Sequence, residues 1–304
     1  MSSVSEGRFR SSSVPLITPG HPRTPLRTTL RTTLRTDDGV RIEAVYEPGT
    51  AAAGAAAETS FDGTAIVVAH GFTGSAGRPA VRRAAEVLGR RAAVVTFSFR
   101  GHGGSGGRST VGDREVLDLA AAVRWARALG HRRVVTVGFS MGGSVVLRHG
   151  ALCKGRAGVS AERGGRIEAH EGVHADARAD AVVAVSAPAR WYYRGTAPMR
   201  RLHWVVTRPV GRLVGRYGLR TRIDHNDWDP VPLSPVGAAG LIAPAPLLIV
   251  HGDRDPYFPL DHPRMLAEAA GDGAELWLEH GMGHAENAAD ESLLTRIGDW
   301  VAAR

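Results

Sequence analysis

The chain has little of what marks secreted or membrane-spanning proteins. Cys153 is its one cysteine in 304 residues, so no intrachain disulfide can form and nothing calls for an oxidising compartment. Residues 1–24 lack the apolar run of ~7–15 residues found in a secretory signal. No later stretch stays apolar for the ~20 residues that a membrane helix needs. The sequence therefore predicts a soluble, cytoplasmic protein whose first 24 residues are disordered.

The composition is otherwise that of an ordinary globular protein. Hydrophobic residues make up 43% and charged residues 22% of the chain, and the formal net charge is +8. A chain of this length buries a large core, and single α/β domains reach this size. The positive charge by itself indicates attraction to acidic surfaces and specifies neither a fold nor a reaction.

Apolar runs separated by helical segments predict an α/β fold. The predicted strands are 26–36, 40–46, 65–69, 92–98, 133–139, 181–186, 247–251 and 274–279. The predicted helices are 79–88, 113–129, 141–152 and 286–302. Most of the strands are apolar throughout, as in parallel sheets covered by helices on both faces. With a hairpin turn at Asp37-Asp38-Gly39, we expect a mostly parallel sheet of about eight strands.

Two segments interrupt the alternation of strands and helices. Residues 154–180 are polar and glycine-containing and show no apolar period. A connection of this length without a pattern predicts a disordered insert. Residues 189–245 lie between two strands and hold Trp191, Tyr192, Tyr193, Trp204 and Trp228, and we predict an inserted helical cap over the sheet. The predicted folded domain, with the insert and the cap included, spans 25–304.

A Gly-x-Ser-x-Gly motif carries the clearest chemical signal. Gly138-Phe139-Ser140-Met141-Gly142 lies between a predicted strand and a predicted helix, the context in which this motif presents a nucleophilic serine. The sharp turn lifts the Ser140 hydroxyl out of the sheet at the helix N-terminus. Free amides and the helix dipole there favour developing negative charge. The alternative interpretation is a tight turn without a chemical role.

A serine hydroxyl needs a base, and the base needs a carboxylate that orients it. Asp255 follows the strand at 247–251 and therefore lies at the same sheet edge as the serine. Asp253 competes for this role, but we favour Asp255 and expect Asp253 to fix the turn. His284 follows the last strand in a glycine-flanked loop and completes the chain order Ser, Asp, His. His280 is the alternative base.

Acyl transfer also needs amides aimed at the oxyanion. The first candidate donor is the backbone N–H of Met141, next to the nucleophile. The second is the N–H of Phe72, in the loop after the strand at 65–69. We expect His70 to order this loop and not to act as a base.

Four segments resemble the α/β-hydrolase family, in the family's order. They are His70-Gly71-Phe72, the glycine-rich loop 99–105, the turn at Ser140, and the pair Asp255 and His284. Within the family the chain is most similar to serine esterases and to monoacylglycerol-lipase-like (serine aminopeptidase-like) hydrolases. The resemblance implies a catalytic Ser140, Asp255 and His284, carboxylic-ester substrates, no cofactor and no metal. It also implies a structural role for His102.

Other functions remain open on the same residues. A Ser-His-Asp triad also supports acyl transfer, peptide hydrolysis and cofactor-free peroxide-assisted halogenation. Haloalkane and epoxide chemistry are disfavoured because the turn carries serine where those reactions need aspartate. From other classes, the chain is a candidate ligand-binding protein on a hydrolase scaffold, or a membrane-surface protein.

The predicted cap is strongly basic. Between Arg190 and Arg222 the sequence has nine arginines and no Asp or Glu. The predicted apolar side of its helices comprises Leu202, Val205, Val206, Val210, Leu213, Val214 and Tyr217. We favour packing of this side on the sheet, with the arginines in solvent. The alternative is weak contact with anionic membrane or with a substrate that has an acidic head. Nucleic-acid binding is not predicted, because no recognition motif accompanies the charge.

Overall fold

The protein is built around an eight-stranded sheet, seen in a computed structural model that describes residues 28–50, 63–153 and 175–304. The strands are β1 Leu30–Arg35, β2 Arg41–Glu47, β3 Thr64–Ala69, β4 Ala93–Phe97, β5 Arg133–Phe139, β6 Ala181–Val185, β7 Leu247–Gly252 and β8 Ala274–Glu279. Their order is β1-β2-β4-β3-β5-β6-β7-β8. Strand β2 is antiparallel to both neighbours, and the pairs from β4 to β8 are parallel. The predicted mixed sheet and fold class are confirmed.

Helices follow most of the strands. They are α1 Pro79–Leu88, α2 Glu115–Ala128, α3 Met141–Leu152, α4 Ala197–Thr207, α5 Pro209–Tyr217, α6 Pro235–Ala239, α7 Asp261–Ala270, α8 Ala285–Ala288 and α9 Glu291–Ala302. The prediction of one closing helix over 286–302 is wrong. Asp290 interrupts it, because its side chain accepts a hydrogen bond from Leu293 N–H (2.8 Å) and so caps a new helix.

Two predictions of disorder fall on the rest of the chain. The predicted disordered start, 1–24, lies outside the described residues. So do residues 154–174 of the predicted disordered insert, and its last residues include a short 3₁₀ helix at Ala175–Ala177. Within the described ranges, no helix is both long and apolar enough to cross a membrane.

The sheet has an apolar core on each face. Successive side chains of a strand point to opposite faces. In β3, Val67 and Ala69 join a cluster with residues of α2 and α3, whereas Ile66 and Val68 join a second cluster with residues of α1 and α9. Every residue of β3 is therefore buried, which explains why the strands are apolar throughout.

The helix pair α4–α5 departs from the predicted packing of the cap. We expected its apolar side to rest on the sheet, but Val210, Leu213, Val214 and Tyr217 of α5 are exposed. The buried residues of α5 are Gly211 and Gly215. A Cβ atom on Gly211 would lie 2.4 Å from the Trp204 carbonyl oxygen of α4. Helix α5 thus packs closely through its glycines, and this turns its large side chains outwards.

A buried ion pair holds the loop after β4. The Arg100 guanidinium donates to Asp118 of α2 (2.8 and 3.0 Å) and to Asp38 in the turn after β1 (2.7 and 3.0 Å). The Arg100 backbone N–H also donates to Asp118 (2.8 Å). Both the Arg100 and Asp118 side chains are almost wholly buried. This network anchors the glycine-rich loop 99–105 that resembles the family's.

Removal of one partner of this pair is predicted to destabilise the fold. Asp118→Ala leaves the Arg100 guanidinium buried with only part of its charge compensated, which costs about 3 kcal/mol of unfolding free energy. Asp299→Ala is the matched control, because its pair with Arg91 (2.5 Å) is exposed and contributes about 1 kcal/mol or less. Urea denaturation followed by circular dichroism measures both. Equal losses in the two variants would contradict this account.

Candidate functional site

The turn at Ser140 has the strained backbone that its motif predicts. Ser140 has φ +52° and ψ −113°, a region that non-glycine residues occupy only where the surrounding structure enforces it. A Cβ atom on Gly138 would lie 2.2 Å from the Gly142 carbonyl oxygen. One on Gly142 would lie 2.2 Å from the Ala69 carbonyl oxygen. Only glycine fits at either position, so the motif's two glycines let the turn pack against the end of β3.

The three side chains predicted to react lie in one hydrogen-bonded chain. His284 Nε2 lies 2.9 Å from Ser140 Oγ, and His284 Nδ1 lies 2.7 Å from Asp255 Oδ2. They come from loops that follow β5, β7 and β8, which run parallel and therefore end at the same edge of the sheet. The histidine is placed to take a proton from the serine while the carboxylate fixes its tautomer.

Asp255 is held as a carboxylate. Its side chain is fully buried, and Oδ1 accepts backbone N–H donors from Tyr257 (2.8 Å) and Phe258 (3.1 Å). Burial raises the pKa of Asp255, but the hydrogen bond and charge of His284 and these two amides outweigh it and hold that pKa below its usual value. The Tyr257 ring lies against the His284 imidazole at 4.3 Å between centroids.

The two competing residues form a separate pair at the surface. His280 Nδ1 lies 2.8 Å from Asp253 Oδ2, and the His280 side chain is 90% exposed. Asp253 Oδ1 accepts the N–H of Gly281 (2.7 Å). Asp253 therefore ties the turn after β7 to the loop after β8, as expected for a residue that fixes the turn. The structure does not bring this pair into hydrogen-bond contact with Ser140.

The two predicted amide donors lie beside the serine. Phe72, Ser140 and Met141 line the same cavity. Within the described part of the chain, the N–H groups of Phe72 and Met141 donate to no other group. Two unpaired amides next to the candidate nucleophile are suited to receive an oxyanion.

His70 orders the loop that carries Phe72. Its Nδ1 lies 2.7 Å from the Gly71 carbonyl oxygen, and its Nε2 accepts the N–H of Phe99 (3.0 Å). The tautomer is therefore Nδ1–H, with a neutral ring. Burial, together with His102, lowers the pKa of His70 to about 3, so the imidazole stays neutral at physiological pH. Its part is structural because both nitrogens are used within the protein.

Two buried residues that the sequence analysis did not single out connect the loops of the site. Glu286 Oε1 accepts the N–H of Gly71 (3.0 Å), and Ser186 Oγ accepts the N–H of Ala285 (3.1 Å). The first bond links the Phe72 loop to the helix after His284, and the second fixes the backbone next to that histidine. In the sequence, Glu286 is indistinguishable from an ordinary acidic residue in the first turn of a helix.

The cavity beside Ser140 has a volume of about 400 Å³. Its walls combine residues of the sheet loops with residues of the cap, and most of them are apolar or aromatic. The aromatic residues are Phe72, Trp191, Tyr192, Tyr193, Trp228 and Phe258. Met199, Leu202 and Val206 of α4 close one side. Such a lining suits an organic ligand with a sizeable apolar part.

One wall of the cavity is fixed by a buried glutamate. Glu115, at the start of α2, accepts hydrogen bonds from the hydroxyls of Ser109 (2.8 Å) and Thr110 (2.6 Å) and from the N–H of Gly112 (3.0 Å). Ser109, Thr110 and Val111 line the cavity. These hydrogen bonds to Glu115 hold the loop in place. No group of three or more metal-ligating side chains occurs in the ranges that the structure describes.

Comparisons with known proteins place the chain in a family. The family model described as the alpha/beta hydrolase family matches residues 66–292. A protein named monoacylglycerol lipase from Mycolicibacterium smegmatis is 27% identical over 260 residues, covering 78% of this chain and 88% of that protein. The family match spans well over half of the length of this chain. The chain therefore belongs to the α/β-hydrolase family.

Solved structures show the same fold. An esterase from Pyrococcus furiosus superposes with a TM-score of 0.62 at 21% identity, covering 91% of this chain and 92% of that one. Est1E from Butyrivibrio proteoclasticus, bound to ferulic acid, superposes with a TM-score of 0.55 at 17% identity, covering 90% of this chain and 98% of that one. At sequence identities this low, the superpositions show a shared fold alone.

The packing of the Ser140 turn leads to a stability prediction. Gly142→Ala forces a methyl group against the Ala69 carbonyl, and overpacking of this kind costs about 1–3 kcal/mol. We expect the melting temperature to fall by several degrees, at about 2–4 °C for each kcal/mol. Gly77→Ala is the control, because a Cβ atom there meets nothing within 4 Å. Differential scanning calorimetry showing equal melting temperatures for Gly142→Ala and the parent protein would refute the close packing.

Proposed function

We propose that this protein is a serine hydrolase that cleaves carboxylic esters through Ser140, His284 and Asp255. One observation carries the proposal: the continuous contact from Ser140 Oγ to His284 (2.9 Å) and from His284 to Asp255 (2.7 Å). Membership of the α/β-hydrolase family supports it. Burial of the carboxylate at the end of this chain adds to the support, because it prevents water from competing for the histidine.

The proposed reaction has two halves. His284 Nε2 takes the proton of Ser140 as the serine oxygen attacks the ester carbonyl carbon, and Asp255 stabilises the imidazolium that forms. The carbonyl oxygen becomes an oxyanion, which accepts hydrogen bonds from the Phe72 and Met141 amides. His284 then gives its proton to the departing alcohol, and an acyl-enzyme remains. A water molecule, activated by the same histidine, releases the acid and restores the serine.

The cavity suggests the class of ester. Its volume of about 400 Å³ and its aromatic walls fit an acyl chain of medium length or an acylglycerol. A carboxylic ester with one long apolar arm would place that arm against Trp191, Trp228 and Met199 while its carbonyl meets Ser140. The names of the M. smegmatis relative and of the P. furiosus neighbour, a monoacylglycerol lipase and an esterase, point to the same chemistry.

Loss of the proposed nucleophile tests the reaction. Ser140→Ala is expected to reduce the turnover of p-nitrophenyl esters at least ~10³-fold, because removal of a triad member leaves only the oxyanion hole and binding. Covalent labelling by a fluorophosphonate probe should also disappear. Both are measured on purified protein, and Ser292→Ala, at an exposed position of α9, serves as a serine control. Turnover by Ser140→Ala that equals that of the parent protein, or undiminished labelling by the probe, would overturn the proposal.

The two aspartates after β7 provide a matched pair of variants. Asp255→Asn removes the acceptor that fixes the His284 tautomer, and we expect kcat to fall about 10³–10⁴-fold. Asp253→Asn should leave kcat within about a factor of three, because it weakens a hydrogen bond at the surface and perturbs no reacting group. The measurement is the kcat of each variant for p-nitrophenyl butyrate. If kcat fell further in Asp253→Asn than in Asp255→Asn, the carboxylate that orients the catalytic histidine would have to be Asp253.

A further inference from the structure

The face of α5 that points away from the protein is apolar. Val210, Leu213, Val214 and Tyr217 follow one another at the spacing of a helical stripe, and their exposed fractions are 62%, 56%, 45% and 73%. We call these four residues the apolar stripe. Large side chains on the solvent-facing side of a helix are normally polar. A continuous apolar stripe of this kind therefore indicates a surface that binds a partner when the protein functions.

The exposure of the apolar stripe follows from the packing of α5. Gly211 and Gly215 are the buried residues of the helix, and a Cβ atom on Gly211 would lie 2.7 Å from Val205 Cα. The two helix backbones therefore touch on the glycine side. The opposite side has no neighbour among the described residues that buries it. The neighbouring helix α4 adds an exposed Trp204 (47%).

Unpaired positive charge accompanies the apolar stripe on the α4–α5 pair and the residues next to it. The Arg216 guanidinium lies over the Tyr217 ring at 5.4 Å from its centroid, and Arg220 follows one turn later. Six arginines of this segment are exposed: Arg194, Arg200, Arg201, Arg208, Arg216 and Arg220. None of the six forms an ion pair with an acidic residue in the described ranges. A partner for this surface must therefore combine an apolar interior with an anionic exterior.

A bilayer that contains anionic lipid has both properties. We propose that α4 and α5 form a membrane-docking surface, in which the apolar stripe enters the boundary between headgroups and acyl chains and the exposed arginines contact lipid phosphates. A second copy of this chain is a poor alternative occupant, because it would set the same six arginines against each other. The inference concerns binding alone and does not depend on the proposed ester hydrolysis.

Docking in this orientation would bring the cavity close to the lipid. Helix α4 lines the cavity with Met199, Leu202 and Val206, while the α4–α5 pair carries the docking surface on its outer side. An apolar molecule that leaves the bilayer would then have a short path to the site. No residue of the apolar stripe lines the cavity, so changes in the stripe leave the site itself intact.

Vesicle flotation tests the docking surface. The full-length protein is mixed with vesicles of phosphatidylcholine alone, or of phosphatidylcholine with about one third phosphatidylglycerol, at about 0.15 M salt. We expect flotation with the anionic vesicles and little with the neutral ones. Leu213→Gln/Tyr217→Gln should weaken binding about tenfold or more, because the stripe loses apolar area. Arg216→Gln/Arg220→Gln should weaken it about fivefold for each arginine removed.

Matched controls separate this surface from general charge. Arg31→Gln/Arg264→Gln makes the same change in net charge at two exposed positions outside the cap and should bind as the parent protein does. Near-UV circular dichroism verifies the folding of each variant. The proposal is overturned if the parent protein stays unbound, or if Leu213→Gln/Tyr217→Gln binds equally well. It is also overturned if light scattering shows a dimer that this variant converts to monomer, since the stripe would then join two copies.

Discussion

The close approach of the Ser140 turn to the end of β3 is the constraint on which the site depends. Gly142 lies so near the Ala69 carbonyl that no side chain fits between them. This contact sets the Met141 amide beside the loop that carries Phe72, so that both donors line one cavity with the serine. It also accounts for the positive φ of Ser140, since a relaxed backbone could not make the turn in so little space.

Buried polar groups hold the other loops around the site. Glu286 joins the Phe72 loop to the helix after His284, and Ser186 fixes the residue that follows this histidine. Glu115 holds the loop at Ser109, which lines the cavity, and Arg100 anchors the loop 99–105 to α2. Most partners of these four side chains are backbone amides, hydroxyls or carboxylates that would otherwise be buried unpaired. Several separate hydrogen-bond networks therefore hold the loops around the site.

The cap follows a different rule. The sheet and its helices bury their apolar residues on both faces, whereas α5 buries its glycines and exposes its apolar stripe. Two packing modes thus coexist in one chain. The first stabilises the fold through apolar area removed from water. The second leaves apolar area of α5 exposed to water. The resulting surface is both charged and apolar.

The sequence alone determined the fold class and named the candidates for the site, which the structure brings together. Apolar strands alternating with helices specify a covered parallel sheet, and parallel strands must end at one edge, so the Ser140, Asp255 and His284 segments had to meet there. Local pattern favoured Asp255 but kept Asp253 as a competitor, because both follow the same strand. Tertiary structure separated the two aspartates by burying the side chain of Asp255 and exposing that of Asp253.

Tertiary structure also set the orientation of α5. The periodicity of a helix marks its apolar side but does not show which neighbour each side contacts. Gly211 and Gly215 made that choice through the close contact with α4, a contact that exists only in the folded chain.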